Sequence, residues 1–481
     1  MKIYLKILTI IIMQFLIINS FNNCKIYSLS NTWERINFNK NYNSFYCVQQ
    51  LHSEKYIVTG IIRIGSSFKI YTVKFNSYGD TIYSRVFNQS LSSQYTSAWI
   101  NETEDKGYII AGTGPGSISD AYLVKMDSSG SIQWYRNYGG IDLDQGYCVK
   151  QTLNKGYILL ARTFSFGFTQ DLLIIKTDSL GVIQWQKLID RGGEDFPGEI
   201  DLTIDNGYII SWKSPKISYL LKLNINGDSL WQKEYTTIGI NSTISLSDGG
   251  YLIGGTKIEN GVYKSSIIKT DSFGKMVWQR SYNTIGFEEC FNVCERNDNK
   301  AYALCGWADT SIFGGNKHAM YKIIDLNGNL LFEKLFRPGL EQNRFRHASK
   351  TFDNGFIFAG IAGIENNGGY GYLVKTDSIG NIKVSINENS IENVEGYSVS
   401  QNYPNPFNNL SQVIYSLNKT SIVTFELYNV LGKLIQIEQI GQKQIGNYKY
   451  TIDSNNFSSG LYFYVFKFGN VKILKKLIVL K

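Results

Sequence analysis

Histidine is scarce in this 481-residue chain: it occurs only as His52, His318 and His347. None stands at metal-ligand spacing from another His, Cys or Glu, so no zinc or other metal site is expected. A Gly-x-Ser-x-Gly elbow and a phosphate-binding loop are both missing, and with them two common catalytic signatures. Six cysteines are too few for a dense disulfide framework. The repetitive part of the chain has no sustained helical period, which excludes α/β and all-α folds there. A long apolar run occurs only at the start, over 7–18, broken by Thr9 and Gln14. A bilayer span needs roughly twenty apolar residues. With Lys2 and Lys6 ahead of it, the run reads as a signal peptide over 1–24, and no membrane span is expected in the mature chain. No small-x-small pair marks the cleavage site. Cys24 would suit lipidation, but Asn23 before it is not small.

Net charge is also missing where it would matter. The formal +8 comes from Lys2, Lys6 and an excess of lysine after residue 396. Residues 7–395 hold as many acids as bases. Nucleic-acid binding needs a basic face, and none is expected here.

What the sequence does have is repetition. "IKTDSLGVIQWQK" (175–187) returns as "IKTDSFGKMVWQR" (268–280). Lys-x-Asp/Asn-x-x-Gly recurs seven times, one copy with an inserted residue, and its glycines are 79, 130, 181, 227, 274, 328 and 380. A large residue follows in six copies: Tyr83, Trp134, Trp185, Trp231, Trp278 and Phe332; the seventh has Val384. A "GYIIAG"-like run keeps step with it. A period near fifty means an array or a propeller. Each repeat reads as four strands, as in "GYCVKQT", "GYILLAR", "DLLIIKT" and "VIQWQK" of the third. The chain is therefore expected to be all-β: a seven-bladed β-propeller of four-stranded blades over 29–384, then a small immunoglobulin-like β-sandwich. The seventh repeat lacks its last aromatic. "TWERINF" (32–38) is expected to supply that strand, with 381–385 as the competing candidate.

The Asp-x-x-Gly turn has two readings. Asp can bond the turn backbone while Gly supplies positive φ, or the carboxylate can bind a divalent cation. A calcium loop wants several oxygens, and one carboxylate favours the structural reading. Asp144, Asp195 and Glu288 each fall ten residues after a repeat Trp. They read either as bonds between blades or as acid/base catalysts; their recurrence favours structure. Cys47 and Cys148 share a register and read as core residues. Cys294 and Cys305 are either a cross-strand disulfide or two buried thiols.

The Asp…Gly…Trp motif resembles the repeats of pyrroloquinoline-quinone-type propellers, one residue shorter, and more loosely the shorter Asp box of sialidases. The resemblance implies a fold and no cofactor. The last part of the chain is more specific. "QNYPNPFN", "FELYNVLGKLI", "SSGLYFYVF" and "KKLIVLK" resemble the type A C-terminal sorting domain of proteins exported by the type IX secretion system of Bacteroidota. The likeness spans 396–481, after a polar linker at 385–395. It places the sorting motif on Tyr403, Pro404, Asn405, Pro406, Phe407, Gly432, Gly460, Lys475 and Lys476. Asn409 and Ser411 depart from the usual Pro and Thr. The resemblance implies partnership with the type IX machinery, and a secreted or cell-surface location.

Function is expected on one face of the repeat domain. Connections within the hairpins are tight, whereas those from second to third strand and from sheet to sheet are long. Such loops carry function, and they bear Phe164, Phe166, Phe168, Phe196, Trp307, Phe313, Arg344 and Arg346. These side chains either cover blade ends or bind a ligand. The candidate binding residues are Trp307, Arg344, Arg346, Phe164 and Phe196. No catalytic residue and no cofactor is assigned. The leading expectation is a non-catalytic module binding a surface glycan or protein; the other is a secreted polysaccharide hydrolase or lyase.

Overall fold

The structure is a computed structural model. It describes residues 32–37, 42–87, 98–114, 120–167, 169–282, 286–309, 317–337, 342–364, 368–382, 397–400, 402–405, 407–429, 434–469 and 471–481. The expected signal segment, the linker, Phe168, Phe313, Pro406 and Gly432 lie outside the described residues. All the elements described are β-strands, and the chain divides into residues 1–383 and 384–481. Among the described residues no helix is long and apolar enough to cross a membrane.

Seven four-stranded antiparallel sheets make up the first unit. In the third, Asp144–Gln151, Tyr157–Thr163, Asp171–Thr177 and Ile183–Ile189 lie side by side in chain order. Its second and third strands are buried almost throughout, which is why "YILLA" and "LLII" run without alternation. The fourth strand is an outer strand and stays largely exposed, with Trp185, Lys187 and Ile189 half-buried. The seventh sheet draws on both ends of the unit. Arg344–Lys350, Phe356–Ile364 and Gly368–Lys375 are completed by Trp33–Asn37, with Trp33 opposite Lys375 and Asn37 opposite Gly371. The fourth strand expected from "TWERINF" is thus in place.

The repeated turn is structural. Asp178 Oδ1 accepts from the amides of Leu180 and Val182, both at 2.9 Å, while Gly181 turns with φ 78°. The aromatic that follows serves the neighbouring sheet. A Cβ on Gly181 would come within 2.9 Å of the Trp134 ring, and one on Gly227 within 3.0 Å of Trp185. The same contact joins Trp231 to Gly274, Trp278 to Gly328, Phe332 to Gly380 and, from the seventh sheet to the first, Trp33 to Gly79. The motif lysine is anchored too: Lys222 Nζ lies 2.8 Å from Asp205, and Lys375 Nζ 2.8 Å from Asp353. Each pair ties the third strand to the tight turn between the first two.

Cys47, Cys148, Cys290, Cys294 and Cys305 are buried free thiols. Cys294 faces Ala303 and Cys305 faces Asn292, so the disulfide reading is set aside by register. Cys47 and Cys148 play equivalent parts, with Sγ 3.6 Å from Ile100 O and 3.4 Å from Ile200 O of the adjoining sheet.

In the second unit, Tyr397–Val399, Leu410–Leu417 and Gly446–Asp453 form one antiparallel sheet. Leu434–Lys443, Ser421–Asn429, Gly460–Phe468 and Val471–Val479 form another. Val413, Tyr415, Phe425, Tyr464, Phe466 and Leu477 share the core between them.

Candidate functional site

The first strands of the seven sheets meet one another. Six of them carry a β-bulge at the same register, for example between Phe45 and Cys47, Gly146 and Cys148, and Phe345 and His347. A bulge takes one residue out of the ladder and re-aims its side chain. The residues so displaced include Tyr46, Tyr147, Asn241 and Arg346, each half-buried between buried neighbours. They come together. The Arg346 guanidinium lies 4.3 Å from the centre of the Tyr46 ring. Tyr147 feels both Tyr46 and Arg162, and Arg162 lies 5.0 Å from the Phe164 ring.

Arg344 sits two residues before Arg346, within the field of Tyr42, Tyr46 and Glu289. Burial first, and Arg346 second, pull its guanidinium down to about 10. Trp307 Nε1 donates to Glu289 Oε2 at 2.9 Å, and Lys317 Nζ lies 4.0 Å from its ring. Burial and Arg344 lower the Lys317 ammonium below its usual range. Phe196 pairs with Lys213, which donates to Asn241 Oδ1 at 2.7 Å and is lowered by burial. The Nε atoms of Arg162, Arg344 and Arg346 are buried without a partner.

The sequence assigned four of the five candidate residues to the wrong kind of element. Trp307, Phe196, Arg344 and Arg346 belong to strands, not loops, because the first strands begin and the second strands end beyond their apolar runs. Phe164 alone of the five follows its strand. Trp307, Arg344 and Arg346 fall in one patch. Phe164 joins it through Arg162, Tyr147 and Tyr46, while Phe196 stands beside Lys213. Tyr42, Tyr46, Tyr147, Arg162 and Lys317 were missed. One signal was available: Tyr46 and Tyr147 immediately precede the two cysteines that share a register.

On the other side of the bulges is a cavity of about 290 Å³ to which all seven first strands contribute, among them Gln49, Asn101, Lys150, Asp201, Asn292 and His347. Its polar groups are largely spent on one another. Glu199 accepts from Ser242 Oγ, from Thr243 N at 3.0 Å and from Asn292 Nδ2 at 3.0 Å. Burial raises its carboxyl to about 7, against the pull of Lys150. Burial works against a charged Lys150, but Asp201 at 3.1 Å outweighs it and holds the ammonium protonated. His347 is kept neutral, at about 3, by burial and then by Lys150. Side chains of this inner layer bond each sheet to the next. Gln49 accepts from Glu102 N at 2.7 Å, and Gln50 from Phe352 N of the seventh sheet at 2.7 Å.

The recurrent carboxylates are engaged locally. Asp144 accepts from Gly140 N and Ser165 Oγ, Asp195 from Ser214 Oγ, and Glu288 from Ser265 Oγ and Lys322 Nζ. Among the described residues no group of three His, Cys, Asp or Glu side chains could hold a metal ion.

The tail motif builds a corner of the second unit. Asn405 Oδ1 accepts from Ile478 N at 2.8 Å, and Phe407, buried, exchanges backbone bonds with Ile478 and Leu480. Ser411 Oγ donates to Pro404 O at 2.6 Å and accepts from Asn402 Nδ2 at 2.8 Å. Tyr403 is left 83% exposed. Lys475 and Lys476 lie half-buried on the last strand, and Gly460 opens the strand beside it.

Residues 401–480 match the family described as the secretion system C-terminal sorting domain. The tail is a type IX sorting domain, and the protein is exported to the cell surface or the extracellular space. No curated protein matches the chain. Among solved structures, PorZ, a bacterial surface component of the type IX secretion system of Porphyromonas gingivalis, is similar over 89% of this chain and 58% of its own, at 10% identity and TM-score 0.38. A polysaccharide lyase of family PL25, an ulvan lyase, is similar over 72% of this chain and 96% of its own, at 9% identity and TM-score 0.49. Sqt1 from Chaetomium thermophilum is similar over 66% of this chain and 80% of its own, at 9% identity and TM-score 0.42. The chain thus spans little more than half the length of the first of these. The likeness of the repeats to pyrroloquinoline-quinone-type propellers gains no support from these matches.

Proposed function

We propose that the seven sheets are the blades of a closed β-propeller, sealed by Trp33–Asn37, and that this propeller is a non-catalytic binding module carried outside by the tail. Two features support closure. The contact between aromatic and turn glycine passes from each sheet to the next and from Trp33 back to Gly79. The bond from Phe352 N to Gln50 likewise links seventh sheet to first. A closed ring leaves only short, protected strand edges.

The binding site is the rim where the first strands begin and the second strands end. The observation that carries it is the convergence of Trp307, Arg344 and Arg346 with Tyr46 around the bulges. Side chains so placed offer ring faces and fixed donors to a ligand. The ligand is a glycan, whose rings stack on aromatics while its hydroxyls meet donors. The recurrent carboxylates hold backbone and hydroxyl groups, which favours binding over catalysis.

The test is a glycan array probed with the purified full chain, followed by Trp307→Ala. Retention of a glycan by the parent, weakened in the variant, is the expected result. Shortened products appearing during incubation would replace the binding reading with a hydrolase or lyase. Retention of proteins alone would replace the glycan.

A further inference from the structure

We infer that the ligand taken at this rim is an anionic polysaccharide, bearing carboxylate or sulfate groups along its chain. The inference rests on the binding reading above and names its ligand class. Three guanidinium groups from two sheets, Arg162, Arg344 and Arg346, approach the same group of tyrosines. Each keeps a buried Nε with no acceptor. None forms an ion pair with a described carboxylate, although ion pairs are common elsewhere in the unit, as at Lys125, Lys222, Lys322 and Lys375.

A partly buried cation without a counter-charge costs free energy unless something supplies the charge. Here the cations also oppose one another: Arg346 disfavours charge on Arg344, and Arg344 disfavours it on Lys317. Glu289, already bonded to Trp307, and Asp309 are the acids that these groups face, two against four cations. The surface is therefore built short of negative charge. A planar guanidinium donates two parallel hydrogen bonds to a carboxylate or sulfate, which a lysine cannot do. Tyr46, Tyr147 and Trp307 stand beside these forks as stacking faces.

The distribution favours a polymer over a single small anion, because the donors are spread over the third, sixth and seventh sheets. The extracellular location given by the tail puts acidic polysaccharides within reach.

Affinity electrophoresis of the full chain separates the possibilities. The gels contain dextran, dextran sulfate, polygalacturonate, polyglutamate or single-stranded DNA. We expect retardation by dextran sulfate or polygalacturonate and none by dextran. Arg344→Gln with Arg346→Gln should weaken that binding about tenfold or more, as expected for lost charge-assisted bonds. Lys275→Ala with Lys300→Ala removes the same charge from exposed tight turns and should leave binding unchanged. Melting temperature checks folding, and Arg162→Gln serves as a second probe should the double variant misfold. Equal retardation by dextran and its sulfate would overturn the anionic class while sparing a glycan-binding rim. Tighter binding of polyglutamate or DNA would overturn the polysaccharide. Equal loss in the tight-turn variant would reduce the effect to diffuse charge. No retardation by any polymer would end both readings.

Discussion

Gly181 has room for no side chain. Its φ of 78° lies where L-residues are disfavoured, and a Cβ would press on the Trp134 ring of the adjoining sheet. Two costs combine, backbone strain and displacement of an aromatic, so Gly181→Ala should lose about 2 kcal/mol or more. Urea unfolding measures this; an unchanged midpoint would show that the ring yields freely. Two buried residues of the inner cavity predict a pH effect. Glu199, raised to about 7 from an ordinary 4.5, favours the folded state at low pH and loses that contribution as pH rises through 7. His347, lowered to about 3 from 6.5, does the reverse: its contribution is present above 6.5 and lost on acidification. Between about pH 4.5 and 6.5 the two slopes oppose, each approaching about 1.4 kcal/mol per pH unit. Glu199→Gln removes one of them. The variant should therefore lose about 2 kcal/mol more than the parent between pH 6.5 and 5. Parallel pH profiles of parent and variant would mean that Glu199 does not hold a proton in the folded state.

At the scale of the element, the four-stranded sheet was legible because its parts repeat. The tight turns, the apolar second and third strands and the outer Trp recur at one period, so an error in one copy is corrected by six others. Even the displaced strand at Trp33 could be read, because Trp33 precedes Tyr56 by the same 23 residues that separate Trp134 from Tyr157 and Trp185 from Tyr208. The bulges could not. They leave the turn residues unchanged, and one extra residue in a short, mostly buried strand is not visible as a break in its pattern, yet they decide which side chain leaves the ladder. The reach of Trp307 and Arg344 into strands was hidden for a related reason. Polar residues at strand ends look like loop when the ends are defined by apolar runs. The Trp33 strand makes a firm prediction. Trp33 is 2% exposed and meets Tyr56 edge-on at 5.4 Å. Trp33→Ala should cost about 3–5 kcal/mol, the range for a buried aromatic. A loss below about 1 kcal/mol would mean that the strand is an appendage rather than part of the fold.

Seen whole, the molecule has a tail whose role was readable from short motifs and a repeat unit whose role was not. Sorting motifs are contiguous, so "QNYPNPFN" and "KKLIVLK" could be recognised directly. The rim is assembled from residues far apart in sequence, Tyr46, Tyr147, Arg162, Trp307 and Arg344, and no local pattern joins them. Net charge misled in the same way. Residues 7–395 are neutral in sum, yet Arg162, Arg344, Arg346 and Lys317 gather at one end of the first strands. Composition sees the sum and not the placement.

We propose that ligand binds at this rim and not at the tight-turn face. Hydrogen exchange of the full chain, alone and saturated with the glycan it retains, tests it most directly. Protection should appear at the start of the first strands and the end of the second, over 43–47, 144–148, 305–309 and 344–347. Protection confined to the tight turns, over 102–107, 152–156 and 351–355, would put the ligand on the opposite face and contradict the account.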